Sequence, residues 1–168
     1  MHKFESRLWV PAAIDEVWGF FSNPRNLAQL TPPFFHAEVE SESNIRNDST
    51  VVITLKPWIL PMGIKWVSKI HEVEASGNER KFIDVQASGP YSYWKHTHTF
   101  SAGATEFKTS SGKTIQNANG GTWIIDQIEY EMPFGLIGSI AEKLFAARQL
   151  QSTFNFRYEN LRKEFKLD

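Results

Sequence analysis

The chain has 168 residues and a formal net charge of −1, with Lys+Arg 18 against Asp+Glu 19. That length predicts one domain, 1–168, able to bury about 70% of the surface its unfolded chain exposes, and the charge balance argues against a nucleic-acid partner. The absence of cysteine excludes a disulfide scaffold, a thiolate metal site and a cysteine nucleophile.

Phe4, Ser6, Leu8 and Val10 alternate with Lys3, Glu5, Arg7 and Trp9, so residues 3–10 read as a first strand. Pro11 ends it. Ile14, Val17, Trp18 and Phe21 then fall at helical spacing, which predicts a short helix over 13–22. Asn23-Pro24 suits an N-cap followed by a first helical position, which predicts a second short helix over 24–30. Strands are expected near 35–43, 50–57, 63–74, 79–88, 92–101 and 121–132, divided by Gly, Pro and Asn breakers. Short links between successive strands imply an antiparallel meander. The stretch 102–120 is rich in Ser, Thr, Gly and Asn and reads as a long loop or as a strand extension around Ser111-Gly112. Ser139-Ile140-Ala141-Glu142 matches a capping box. From there Ile140, Leu144, Ala147, Gln151, Phe154, Tyr158, Leu161 and Phe165 form one stripe of a long helix ending near 166. No run reaches 18 consecutive apolar residues and Met1 to Arg7 holds no apolar signal core, so no integral membrane span is expected and the expected setting is cytoplasmic.

Aromatic residues make up 14% of the chain and must be buried in a core or line something. Strand parity locates part of them. Val51, Ile53 and Leu55 point one way, as do Ile64, Trp66, Ser68 and Ile70, opposite Lys65, Lys69 and His71. On 92–101 the inward face reads Trp94, His96, His98 and Phe100. A hairpin at Gly89-Pro90 with a constant index sum of about 180 opposes Phe82 to His98, Asp84 to His96 and Gln86 to Trp94. On the last strand Ile128, Tyr130 and Met132 face in, and Asp126 adds an inward polar group near the rim. Polar groups set in an aromatic shell resemble a ligand pocket, because buried polar atoms must find partners. A self-satisfied Asp–His network is equally consistent with the residues, and Ile83, Val85 and Ala87 leave the opposite parity open.

The order strand, two short helices, strands and long helix resembles the helix-grip fold of the START-like (SRPBCC) superfamily. Val17-Trp18-Gly19-Phe20-Phe21 with Asn23-Pro24 and Leu30-Thr31-Pro32-Pro33 is similar to that family's opening. Phe82 to Gln86, Gly89-Pro90-Tyr91, Trp94 to Phe100, Tyr130 to Gly135 and Phe154 to Tyr158 are similar to a bacterial ligand-binding, polyketide cyclase-like branch. The resemblance implies an α+β fold: a curved antiparallel sheet of about seven strands wrapped around a long C-terminal helix, with two short helices after the first strand. It also implies a cavity between sheet and helix, with Phe154 and Tyr158 on the helical wall.

The first functional expectation is binding of a hydrophobic small molecule of lipid, quinone or polyketide-like character. Trp66, Trp94, Phe100 and Tyr130, with Phe82, supply apolar area, and Ser68, Asp84, Gln86, His96 and His98 orient one polar group. The alternative is a cyclase/dehydrase-like enzyme in which an Asp84–His96 pair acts as general base. A third class is a protein-interaction module docking through the apolar segment 57–62. His96-x-His98 with Asp84 opposite also suits zinc or iron, but that spacing is common by chance, so no metal and no cofactor are assigned. Whether the chain forms a homodimer through its sheet edges is left open.

Overall fold

The computed structural model describes residues 1–41, 44–58, 62–108, 114–133 and 140–167, with the backbone alone described at 104–108, 114–119 and 140–145. Seven antiparallel strands form one sheet: β1 (His2–Val10), β2 (Glu38–Val39), β3 (Thr50–Leu55), β4 (Ile64–Ser76), β5 (Glu79–Ser88), β6 (Tyr93–Lys108) and β7 (Thr114–Glu131). Their spatial order is β1-β7-β6-β5-β4-β3-β2. The meander from β2 to β7 thus runs neighbour to neighbour, and β1 closes on β7. Helix α1 (Ile14–Phe21) and two 3-10 turns (Pro24–Ala28 and Pro33–Phe35) follow β1, and α2 (Ile140–Glu164) closes the chain. At 25 residues α2 is about 37 Å long.

The sheet curls because its strands are long and interrupted. The β4–β5 register shifts between Val67 and Ser68 and again between His71 and Glu74, where Glu72 takes φ 49°. Such irregularities bend and twist a strand locally. The β6–β7 register shifts between Gly103 and Thr105, and Gly120 facing that shift takes φ +81°, a conformation open to glycine without strain. Beyond the shift both strands continue, to Lys108 and from Thr114, so 102–120 is a hairpin extension over its described backbone.

The helix boundaries have local causes. Asn23 accepts a hydrogen bond from the Arg25 amide at 3.1 Å and Pro24 opens the turn, but the segment winds as a 3-10 helix over 24–28. Arg80 on β5 holds Asp15 of α1 at 2.8 Å, pinning that helix across the sheet end. The expected strand over 35–43 shrinks to two residues, because Pro33–Phe35 winds as a 3-10 turn and His36 leaves it in the left-handed region at φ 41°. The stripe of α2 keeps Phe154, Leu161 and Phe165 buried as expected, but Ala146, Leu150 and Arg157 are buried in place of Ala147, Gln151 and Tyr158, and Ala147 and Gln151 face solvent. Ser139 and 134–138 lie outside the described residues, as do 59–61 of the apolar segment 57–62, whose flanks Trp58 and Met62 are 76% and 78% exposed.

Trp9 belongs to the outward parity of β1 yet is buried. Gly103 and Gly121 pair across β6 and β7, and the Trp9 indole donates to the Gly103 carbonyl at 3.1 Å. A Cβ at Gly121 would collide with the Trp9 ring and come within 2.5 Å of the Val10 carbonyl oxygen. Gly121→Ala is expected to cost about 1–3 kcal/mol in urea unfolding. Gly19→Ala, inside α1 with nothing within 4 Å of the new carbon, is expected to stabilise by about 0.5–1 kcal/mol.

Candidate functional site

A cavity of about 390 Å³ lies between the concave face of the sheet and α2. Its walls are largely apolar: Val51, Ile53 and Leu55 from β3, Ile64, Trp66 and Ile70 from β4, Leu30 from the segment after α1, and Leu150 and Phe154 from α2. Alternation along the strands puts these residues on one face, as the parity reading required. The opposite face of β4 carries exposed Lys65, Lys69 and His71.

One part of the wall is polar. Backbone pairing opposes Asp84 to His96 and Phe82 to His98, and β6 in turn pairs His98 with Asp126 of β7. The side chains bond on the diagonal instead. His96 Nε2 lies 2.7 Å from Asp126 Oδ1, and His98 Nε2 lies 3.3 Å from Asp84 Oδ2. The pair expected to act together, Asp84 and His96, approaches only to 3.6 Å through His96 Nδ1. Asp126 is fully buried in the middle of the sheet, which corrects its expected place at the rim. The reason is packing: His96 and His98 stand beside Asp126 on the same face, and Arg157 of α2 closes over it.

Second contacts fix each of these groups. Ser68 Oγ donates to Asp84 Oδ1 at 3.2 Å. Arg157 Nη1 of α2 donates to Asp126 Oδ1 at 3.4 Å while its guanidinium lies over the Phe154 ring. The two imidazoles lie tilted at 32° with ring centroids 3.7 Å apart, and Phe82 stacks on His98 at 4.2 Å. His98 Nδ1 is 3.1 Å from Asp126 Oδ1 but out of line for a hydrogen bond.

The electrostatics follow from burial and neighbours. Burial and the adjacent His98 charge push His96 down to about 4, against the pull of Asp126 and Asp84, so it is a neutral ring at neutral pH. Burial also opposes a charge on His98, but the two aspartates outweigh it and raise its affinity for a proton. Both carboxyls resist ionisation through burial, and their histidine contacts, with Arg157 beside Asp126, overcome this and hold them below the usual carboxylate range.

Of the sequence-predicted site residues, Trp66, Ser68, Phe82, Asp84, Trp94, His96, His98 and Phe154 line the cavity. Four do not. Gln86 staples the β5–β6 turn, donating to the Tyr91 carbonyl at 2.7 Å and accepting from the Tyr91 amide. Phe100 is fully buried against Trp18, Phe21 and Phe82. Tyr130 is covered by Tyr91 and Trp94. Tyr158 turns toward β1 and hydrogen-bonds Ser6. Arg157 was missed, although a cation inside the apolar stripe between Phe154 and Leu161 was a signal that something anionic faces it.

This arrangement has relatives. Residues 10–157 match the model of the family described as polyketide cyclase / dehydrase and lipid transport. The chain belongs to that family. No curated protein matches the sequence significantly. Among solved structures the fold is similar to the protein TTHA0849 from Thermus thermophilus, at 16% identity and TM-score 0.55 over 97% of this chain and 99% of that one. It is similar to norcoclaurine synthase from Thalictrum flavum in complex with dopamine and hydroxybenzaldehyde, at 16% identity and TM-score 0.55 over 96% and 87%. It is also similar to the major latex-like protein 151 of Panax ginseng, at 9% identity and TM-score 0.57 over 98% and 97%. The family member is thus a helix-grip protein, as the sequence resemblance implied. Among its described residues no helix is long and apolar enough to cross a membrane.

Removing the Arg157 cation leaves Asp126 buried with only the imidazoles. Arg157→Met is expected to cost about 3 kcal/mol in urea unfolding, because the carboxylate loses a partner it cannot replace with water. Alkaline pH acts on other groups. Burial pushes Tyr91 up to about 12, and burial, partly offset by the Ser6 contact, does the same to Tyr158. The unfolded chain loses these phenolic protons near pH 10 and the folded chain holds them. Their contribution is therefore fully present below pH 10 and declines as pH rises toward 12. Urea midpoints measured across that window should fall, and Tyr91→Phe should lessen the fall.

Proposed function

We propose that this protein binds an apolar small molecule that carries one polar oxygen, of lipid, quinone or polyketide-like chemistry, in the cavity under α2. The observation that carries the reading is the Asp84, His96 and His98 cluster set in a largely apolar wall of one cavity. A volume of about 390 Å³ suits a small-molecule ligand, for which cavities of roughly 300–1,000 Å³ are usual. Ile53, Ile64, Trp66, Leu150 and Phe154 accept the apolar body. The neutral His96 offers an acceptor nitrogen, Nδ1, beside the Asp84 carboxylate, and together they hold a hydroxyl or an enol that donates. The norcoclaurine synthase relative, which holds dopamine and hydroxybenzaldehyde, supports the use of this fold for small aromatic molecules.

A second reading, a cyclase- or dehydrase-like enzyme, is favoured by one observation. The 2.7 Å contact from Asp126 fixes the His96 ring as the orienting carboxylate fixes a general base. The base pair of that reading is then Asp126–His96, with Asp84 on the cavity side.

Native mass spectrometry of the protein purified without detergent tests both readings. A discrete adduct released unchanged on denaturation is expected, and conversion of the released compound by fresh protein would establish the enzyme. Uptake of an environment-sensitive apolar dye reads the same cavity. Leu150→Trp fills it from the helix side and is expected to weaken dye binding at least about tenfold, or 1.4 kcal/mol, with the fold retained. Trp66→Ala is expected to weaken dye binding and to lower stability by about 2 kcal/mol, less than a fully buried Trp would cost. Dye binding unchanged in both variants would remove the cavity as the site.

A further inference from the structure

The polar wall has a second property that hydrogen bonding to a ligand does not use. Three donor atoms of different residues converge on one point at its surface. His98 Nε2 and His96 Nδ1 lie 3.3 Å and 3.6 Å from the same oxygen, Asp84 Oδ2, and ligand atoms of the three residues all fall within 4.8 Å of one another. Ligands at about 2.0–2.2 Å from a four-coordinate ion stand about 3.3 Å apart, so the donors need little movement to share one. All three residues line the cavity, which leaves a coordination position open toward it.

The surroundings match the same use. A metal-bound imidazole normally presents its other nitrogen to a carboxylate, which fixes the ring and raises its basicity. Here Asp126 Oδ1 bonds His96 Nε2 at 2.7 Å and stands 3.1 Å from His98 Nδ1 without bonding it. Asp126 is itself held by Arg157, and the Asp84 oxygen not shared with the histidines is held by Ser68. His96 and Asp84 thus each have an orienting hydrogen bond on the far side, and His98 is held by stacking on Phe82. His98 Nδ1 and Asp126 Oδ2, buried yet without a hydrogen bond of their own, show that the network is not fully satisfied by its own members.

We propose that Asp84, His96 and His98 bind one divalent first-row transition ion of the zinc or iron(II) class, through one oxygen and two nitrogens. The sequence spacing assigned no metal, since His-x-His on a strand is common; the new element is Asp126 on β7, which bonds His96 from behind and stands beside His98. The open position faces the apolar cavity and takes an oxygen ligand from it. The proposal does not rest on the binding function above, because the ion needs none of the apolar wall.

The test is a titration of the chelator-stripped, full-length chain with Co²⁺ alone and then Zn²⁺, without any apolar compound. The expected result is one Co²⁺ per chain, with visible bands of four- or five-coordinate intensity that equimolar Zn²⁺ removes. Asp84→Asn is nearly isosteric, and its side chain is the most accessible of the three. It is expected to weaken uptake at least about tenfold while keeping the far-ultraviolet circular dichroism of the parent, as is His96→Gln or His98→Gln where the variant folds. No stoichiometric uptake by the parent chain would overturn the proposal. So would uptake unchanged in Asp84→Asn, which would place the ion on His2, His36 or His71 at other positions. Either failure leaves the dye-binding result, and with it the cavity reading, standing.

Discussion

The structure depends on how it accommodates the Asp126 carboxylate. Moving an ion of that size out of water costs several kcal/mol even after relaxation, and Asp126 has no accessible surface at all. Its partners therefore have to be present, and they come from two separate elements: His96 and His98 from β6 and Arg157 from α2. The long helix cannot dock on the sheet in another register without abandoning this charge. Apolar contacts supply most of the adhesion, but they are tolerant of small shifts. The Asp126 set is not.

The same residues divide the interior. Along β6 the inward positions run Trp94, His96, His98, Phe100; along β7 they run Ile124, Asp126, Ile128; along α2, Phe154, Arg157, Leu161. The polar members line up as a layer. On one side lies an apolar cluster of Trp94, Ile128, Tyr130, Ala146, Leu150 and Phe154. On the other lies a larger one that includes Val10, Val17, Phe82, Phe100, Ile124, Leu161 and Phe165. The layer reaches the cavity at Asp84, His96 and His98, so one structural device locks the helix and furnishes the chemistry of the wall. The cavity persists because the curled sheet and the pinned helix cannot close on each other.

Much of this was legible. Period-two alternation gave the faces of β1, β3 and β4, and an index sum of 180 around the hairpin opposed Asp84 to His96 and Phe82 to His98, as the strands in fact pair. Other features were not. Gln86 shares the parity of Asp84, yet at the strand end its amide is closer to the Tyr91 backbone than to any cavity, and a local hydrogen bond won. Tyr130 and Tyr158 share the inward parity and the inward stripe, but neighbouring rings and Ser6 take up their space. The first described turns of the α2 stripe were misread by one position, while Phe154, Leu161 and Phe165 held, because Ala147 and Gln151 fit a helical period as well as Ala146 and Leu150 do. Period alone cannot choose between adjacent faces when both hold small or mixed residues.

The sequence by itself determined the order of strands and helices, the sheet pairing around Gly89-Pro90 and the shared parity of Asp84, His96 and His98. Those follow from short-range rules: alternation, turn chemistry and helical period act within a few residues of each other. Only the tertiary structure decided which carboxylate each imidazole takes. That choice depends on the tilt of side chains across three strands and on a cation delivered by a helix 31 residues further along the chain from Asp126. Diagonal contacts of this kind have no signature in linear spacing, because sheet curl and helix docking set them after the strands have already paired.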